Sequence, residues 1–418
     1  MGAGGGDGAA VDFVLYASSP WDSLRQRPQQ MAQQMSAWCR VAYVDWPAAR
    51  PGAALIHHRD RARVVEAMRA PRKIGPNLFR VRPVGLLGNR RYANTGCARR
   101  INAWALRTHV SHVCRRLGFR KQIVWGQFSE RLFDRAYPAA PLLYEVVDDV
   151  RLFASAALPA EEMVRQERAI VSRAEWVVAT SRALCRRVEE EYGAPCHYVP
   201  NGVTPKDFAG ALNPGPPPGD LGSVPRPRVG FVGAIGHWID VDLSVQVARL
   251  RPALSFVFVG PVVTREAGRR LEAVPNIHLL GEKPYAELPA YLGHLDVCTI
   301  PFLVNESTRS VNPVKFYEYL AADRPVVSAP LPEVAAHREV VRLARGPEAF
   351  AAAIDASLSE PREARSAARR RVAAQNTWEA RCRQILDIVC TARRGGAPDR
   401  QPDSSPPATA AENLPIAL

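Results

Sequence analysis

Short apolar runs alternate with polar, helix-compatible stretches along most of this chain, and the alternation occurs twice. Val11–Ala17 is a nearly unbroken apolar run ending in Ser18-Ser-Pro-Trp-Asp22, and Arg27-Pro-Gln-Gln-Met-Ala-Gln-Gln-Met35 follows with Pro near the first turn of a helix. Val41–Asp45 is the next run. A strand, a helix and a strand within about 35 residues make a βαβ unit and predict a parallel sheet. Gln122–Gly126, Leu142–Val147 and Trp176–Thr180 read as further strands, with helices over 161–174 and from a Ser181 cap to Tyr192. His197-Tyr-Val-Pro-Asn-Gly-Val203 closes this half.

Residues 209–228 carry six prolines and several glycines with little apolar content, and are expected to be an interdomain linker. The alternation then restarts. Arg228–Gly236 is a strand running into a glycine turn; Ser255–Gly260, Asn276–Gly281, Asp296–Pro301, Pro325–Ser328 and Val341–Leu343 are strands. Tyr285–Leu292 and a segment from Pro347 are helices. The expected organisation is α/β with two doubly wound domains: a leader over 1–10, domains over 11–208 and 228–360, a linker over 209–227, a helical return over 361–392 and a disordered tail over 393–418.

Asn312-Pro-Val-Lys-Phe-Tyr-Glu318 reads as a helix start, with Asn312 as cap and Pro313 at the first helical position. The small polar loop before it, Asn305–Ser310, puts backbone amides and the helix dipole at one place, a ready anion site. Arg309 and Lys315 add charge there, and Glu318 one turn on reaches toward hydroxyls. Phosphate with vicinal hydroxyls is the outline of a nucleotide. The plainer reading pairs Glu318 with Lys315 on a solvated helix face. Asp148-Asp149 ends a parallel strand, where α/β sheets place their sites; the pair either meets a substrate hydroxyl or caps the next turn.

Gly230, Gly233 and Gly236 are spaced three apart, which is not the GxGxxG fingerprint, so a nicotinamide cofactor is disfavoured. The eight cysteines form no CxxC pair and read as reduced thiols. Of 418 residues, 47% are hydrophobic and 23% charged, as in soluble globular chains. The net charge of +14 is concentrated: residues 50–121 hold 18 Lys and Arg against two acids, Asp60 and Glu66. That segment predicts an anionic partner. Within it, 97–117 reads as a helix with Leu106, Val110, Val113 and Leu117 packed inward. Arg100, Trp104, Arg107 and Arg115 fall on the opposite face, which is either an anionic-membrane contact or a solvated basic face. No nucleic-acid module is present, and nucleic acid is not expected as a partner.

Two doubly wound halves, Val199-Pro-Asn-Gly-Val203 at the end of the first, and the Asn312 segment in the second together resemble the GT-B glycosyltransferase family often called group 1. The Arg27-Pro-Gln-Gln30 and Asn312–Glu318 stretches resemble its bacterial branch that builds teichuronic-acid-type and other surface polysaccharides. The resemblance runs from about residue 11 to about 390. It implies two Rossmann-like domains facing across a cleft, a nucleotide-diphosphate sugar as donor on the C-terminal domain, and a glycan or lipid-linked acceptor on the other. Glu318 matches the second glutamate of the family's E-x7-E motif, which holds the ribose, whereas Ser310 stands at the first; Glu306 is the available substitute. The family's basic pair after the glycine turn is also missing, with His237 and Trp238 there instead, so Arg309 and Lys315 are left to meet the diphosphate.

On this resemblance Asp149 and His237 are catalytic, while Gly233, Gly236, Arg309, Ser310, Asn312, Lys315 and Glu318 hold the donor. Ser19, Trp21 and Asp148 face the acceptor. The resemblance implies retention; the sequence itself leads to the expectation of no cofactor and no metal, and of a cytoplasmic enzyme peripheral on the inner face of the plasma membrane. An inactive scaffold and a sugar-nucleotide epimerase are the other readings.

Overall fold

The computed structural model describes residues 11–45, 71–83, 96–127, 140–154, 159–361 and 363–393; the leader, the tail beyond 393 and much of the basic segment lie outside the described residues. Two sheets organise the chain. The first contains β1 (Asp12–Tyr16), β2 (Val41–Val44), β3 (Arg72–Lys73), β4 (Leu78–Val81), β5 (Gln122–Gly126), β6 (Leu142–Val146), β7 (Trp176–Ala179) and β8 (His197–Tyr198). Their order is β3-β4-β2-β1-β5-β6-β7-β8, parallel throughout except for β3 against β4. The strands read as unbroken apolar runs because helices cover both faces. On one face α2 (Gly96–Arg116), α3 (Ala160–Val171) and α4 (Arg182–Tyr192) bury Leu106, Val110, Ile170 and Val188 against Val14, Val124 and Tyr144. On the other, α1 (Arg27–Met35) packs Met31 and Met35 over Phe13, Leu15 and Trp125.

The second sheet has the order β11-β10-β9-β12-β13-β14, all parallel. It is built from β9 (Arg228–Val232), β10 (Ser255–Val259), β11 (Ile277–Gly281), β12 (Val297–Ile300), β13 (Val326–Ser328) and β14 (Val341–Leu343). Its helices are α5 (Val241–Leu250), α6 (Arg265–Glu272), α7 (Leu288–Gly293), α8 (Val314–Ala321) and α9 (Pro347–Ser359).

Three expectations need correction. Residues 209–227 are not a free linker: Ala211, Leu221 and Val224 are buried in the core of the second domain with Val229 and Phe231, and so is Phe208, which was placed at the end of the first domain. Ala211, Leu221 and Val224 turn inward although Ala209 is exposed, and the buried guanidinium of Arg324 donates to the Ala211 carbonyl at 3.1 Å. The helical return is two helices, α10 (Ser366–Gln375) and α11 (Trp378–Arg393), interrupted at Asn376-Thr377. Strand β4 lies in the basic segment, where no strand was expected. Arg80 breaks its apolar pattern, yet it is buried and pairs with Asp45 at 2.6 Å.

Helix α11 does not belong to the second domain. Trp378, Cys382, Ile385 and Val389 are buried with Met31, Trp125 and Val178 in the core of the first. The chain therefore crosses between domains twice, at 199–204 and at 376–378, and the crossings touch. Val203 N–H donates to the Asn376 carbonyl at 2.9 Å and Trp378 N–H to the Val203 carbonyl at 3.1 Å. A Cβ on Gly202 would stand 2.9 Å from the Asn376 oxygen, so only glycine lets the crossings approach this closely.

Candidate functional site

Each site element follows a strand of one of the two parallel sheets, at the end where such sheets place ligands. In the second domain the turn after β9 lies against the turn after β10. Gly233 N–H donates to the Val259 carbonyl at 2.8 Å, and Gly260, at φ 149°, leaves no room for a side chain because a Cβ would fall 2.0 Å from the Gly233 oxygen. A Cβ on Gly233 itself would be 3.1 Å from Lys315 Cε, which places the Lys315 stem directly on this turn. Gly236 lies beneath the Trp238 ring, and exposed His237 meets that ring edge-on at 5.0 Å.

Lys315 sits in the first turn of α8, where the leading amides have no intrahelical acceptor. Its Nζ contacts Glu318 Oε2 at 2.9 Å. The pair expected on a solvated face is real, but Glu318 is only 2% exposed. A buried carboxylate with one cationic partner keeps acceptor capacity for hydroxyl groups. Tyr285 stands beside this group; its hydroxyl is pushed well above its ordinary range by burial and then by the charges of Glu318 and Asp207. The Tyr285 ring carries the Arg25 guanidinium at 5.1 Å, so a loop of the first domain reaches the second beside Glu318.

Asn312 is not the helix cap. Pro313 occupies that position, and Asn312 is buried and turned toward the crossing, where its Oδ1 accepts from Asn201 N–H at 3.2 Å. Its carbonyl accepts from Asn201 Nδ2 at 2.6 Å, and its Nδ2 donates to Glu333 at 3.0 Å. The loop before it is also more ordered than its composition suggests. Asn305 caps a one-turn helix over Glu306–Arg309, with a reciprocal bond from Asn305 N–H to Thr308 Oγ1. Arg309 and Glu306 are exposed there, and Ser310 Oγ donates to the Ser307 carbonyl at 3.2 Å.

In the first domain Asp149 and Asp148 have different environments. Asp149 caps the turn over Val150–Phe153, accepting from Arg151 N–H at 3.0 Å and pairing with its guanidinium at 2.7 Å. Burial alone would raise its pKa, but the Arg151 hydrogen bonds and the Arg187 charge outweigh that and hold it below the ordinary carboxylate range. Of the two readings of the pair, Asp149 shows the turn cap. Asp148 is pushed up to about 6 by burial and then by the neighbouring Asp149 charge. It follows β6, as Ser18–Trp21 follows β1. Ser19 and Trp21 are fixed there: Tyr43 donates to the Ser19 carbonyl at 2.6 Å, and Trp21 N–H donates to Asp45 at 2.9 Å.

On α2 the Leu106, Val110 and Val113 stripe is buried, Leu117 is partly buried, and Trp104 is 57% exposed, with Arg107 half-buried and Arg115 exposed. The Arg100 side chain lies outside the described residues. Among the described residues no helix is long and apolar enough to cross a membrane.

Two largely parallel sheets, the chain's last helix returning from the second to the first, are the GT-B arrangement, and residues 226–360 match the model for group 1 glycosyl transferases. The second domain is a group 1 glycosyltransferase domain, and the chain has the GT-B fold. It is 28% identical over 230 residues to a Bacillus subtilis protein named as a teichuronic acid biosynthesis glycosyltransferase. That match covers 53% of this chain and 58% of the relative's length. Sucrose-phosphate synthase from Thermosynechococcus elongatus superposes with a TM-score of 0.68 at 16% identity, over 93% of this chain and 100% of that one. A UDP-forming α,α-trehalose-phosphate synthase from Burkholderia xenovorans in complex with glucose-6-phosphate gives 0.64 at 13% identity, over 91% and 99%.

The arrangement missed from sequence is the buried set around Arg27, whose partners lie 118 to 174 residues away along the chain. The local signals were an arginine opening an amphipathic helix and the resemblance of Arg27-Pro-Gln-Gln30, and neither points to these partners.

Proposed function

We propose that the chain is a glycosyltransferase that moves a sugar from a nucleoside-diphosphate donor on the second domain to a glycan or lipid-linked acceptor on the first. The observation that carries this is Lys315–Glu318, held in the first turn of α8 against the Gly233 turn. Diphosphate departure needs its growing charge neutralised, and a cation beside free helix amides does so. Glu318, spared from water, accepts from the ribose hydroxyls. Asp148 orients the acceptor hydroxyl, and the leaving phosphate takes that hydroxyl's proton as the new glycosidic bond forms, with retention at the sugar carbon. The relative named for teichuronic acid biosynthesis favours a cell-surface polysaccharide as product, and the UDP-forming neighbour favours a uridine donor.

The test is thermal unfolding against UDP, GDP, ADP and TDP and their sugar conjugates. One diphosphate at about 100 times its Kd should add about 2.7 kcal/mol of stability. Lys315→Ala should weaken that diphosphate about ten-fold or more, as loss of a charge-assisted contact implies. A wild-type protein that no diphosphate stabilises would sink the reading. Exposed Trp104 with Arg107 and Arg115 is the face on which a lipid-linked acceptor rests at an anionic surface. Trp104→Ala should then reduce co-sedimentation with phosphatidylglycerol vesicles, and equal sedimentation of the two proteins would remove this contact.

A further inference from the structure

Arg27 is 3% exposed, and all five of its N–H groups are used. Nε and one Nη2 hydrogen go to Glu145 Oε1 at 2.8 and 2.6 Å. The remaining donors reach the Val199 carbonyl at 3.0 Å, the Pro200 carbonyl at 2.8 Å and Asn201 Oδ1 at 3.1 Å. Its guanidinium also lies over the Trp378 ring at 5.8 Å. One side chain thus grips both chain crossings, 199–201 directly and 376–378 through Trp378. Glu145 is equally complete: its Oε2 accepts from Trp125 Nε1 at 3.0 Å and from Gln127 Nε2 at 2.6 Å.

The bonds continue in both directions. Gln127 Oε1 accepts from Ser18 N–H at 3.4 Å, where the β1 loop begins, and Glu145 lies on β6 three residues before Asp148. On the far side Asn201 bonds Asn312 twice, two residues before α8 begins, and Asn312 reaches Glu333. Glu333 in turn accepts from Arg182 N–H at 2.9 Å and Tyr198 Oη at 2.5 Å, both in the first domain. Hydrogen bonds that are buried and fully matched fix a single arrangement, because a shifted one strands charged groups away from water.

We propose that Arg27 is a positioning residue. Through Asn201 and Asn312 it sets the angle between the domains, and so the place of Lys315 and Glu318 relative to Asp148. It touches no substrate. This rests on the transferase reading only for its effect on turnover; its effect on the crossings stands apart from it.

The test compares the full chain with Arg27→Lys and Asn201→Ala by hydrogen exchange, urea unfolding, X-ray scattering and binding of UDP. Lysine keeps the charge but offers three donors instead of five. Both variants should lose protection about ten-fold in peptides spanning 200–204 and 375–379, while peptides of β5 and β6 keep theirs. The radius of gyration should rise, and any UDP affinity should stay within about two-fold because the contacts on α8 are untouched. Transfer, where it is measurable, should fall about ten-fold at unchanged donor KM. Wild-type exchange at the crossings in both variants overturns the proposal. So does a uniform loss across the first domain, which would make Arg27 only a core residue. If Arg27→Lys does not fold, Asn201→Ala decides alone by the same peptides.

Discussion

Glu318→Ala should abolish the stabilisation that a nucleoside diphosphate gives the wild type, and should lower transfer by about two orders of magnitude. A buried carboxylate receiving two hydroxyl bonds is worth about 2–4 kcal/mol, because without it the ligand's donors are left unpaired. The substitution also leaves Lys315, partly buried in the first turn of α8, without its counter-charge. Glu318→Gln separates these effects, since the amide still accepts a hydroxyl bond while losing the charge. Calorimetric titration with UDP across wild type and both variants is the measurement. An alanine variant that binds UDP as tightly as the wild type would remove Glu318 from the site.

Asp148→Asn should make the protein more stable at pH 7 and less active. The native carboxyl titrates at about 6, against 3.8 for the ordinary group. Between those values the folded state binds more protons than the unfolded one, so stability falls as pH rises from about 4 to about 6 and stays reduced above. The whole effect is no more than about 3 kcal/mol at about 1.4 kcal/mol per pKa unit. An asparagine does not ionise, so the variant should regain that stability at pH 7 and show a flatter profile between pH 4 and 6. Transfer should fall about ten-fold if Asp148 only orients the acceptor hydroxyl, and much further if it removes the proton. Urea midpoints measured at pH 4, 5, 6 and 7 report the first quantity; a parallel pair of profiles would show that Asp148 is not under strain.

Both doubly wound domains were legible because their strands are unbroken apolar runs. A run buried on both faces leaves the same mark wherever it falls, and Gln122–Gly126 was read to the residue, as was Val341–Leu343 even though Arg342 interrupts it. Elements that rest on distant partners were not legible. Arg80 hides β4 because its counter-charge, Asp45, lies 35 residues earlier. Leu221 and Val224 read as linker because the stretch around them is rich in proline and glycine, although each fills the second core. Helix α8 was placed within two residues, yet Asn312 was given a local task, capping, when its partners are Asn201 and Glu333. Asp148 and Asp149 are adjacent in sequence and identical in type. Arg151 and Arg187 stabilise the charge of Asp149, whereas burial and that same charge oppose ionisation of Asp148.

The placement of α11 in the first domain bears on how the chain is made. The apolar face formed by Phe13, Met31, Met35 and Trp125 is covered by Trp378, Cys382, Ile385 and Val389. Translation of the intervening residues, at roughly 5–20 per second, takes roughly 10–35 seconds after Val203 has been added. During that interval the first domain waits on the ribosome with its face open, while the second has all its strands and completes its own core. A message truncated before codon 378 should yield a product whose second core lacks none of its residues, while the first domain keeps the core on one face of its sheet and leaves the other face uncovered.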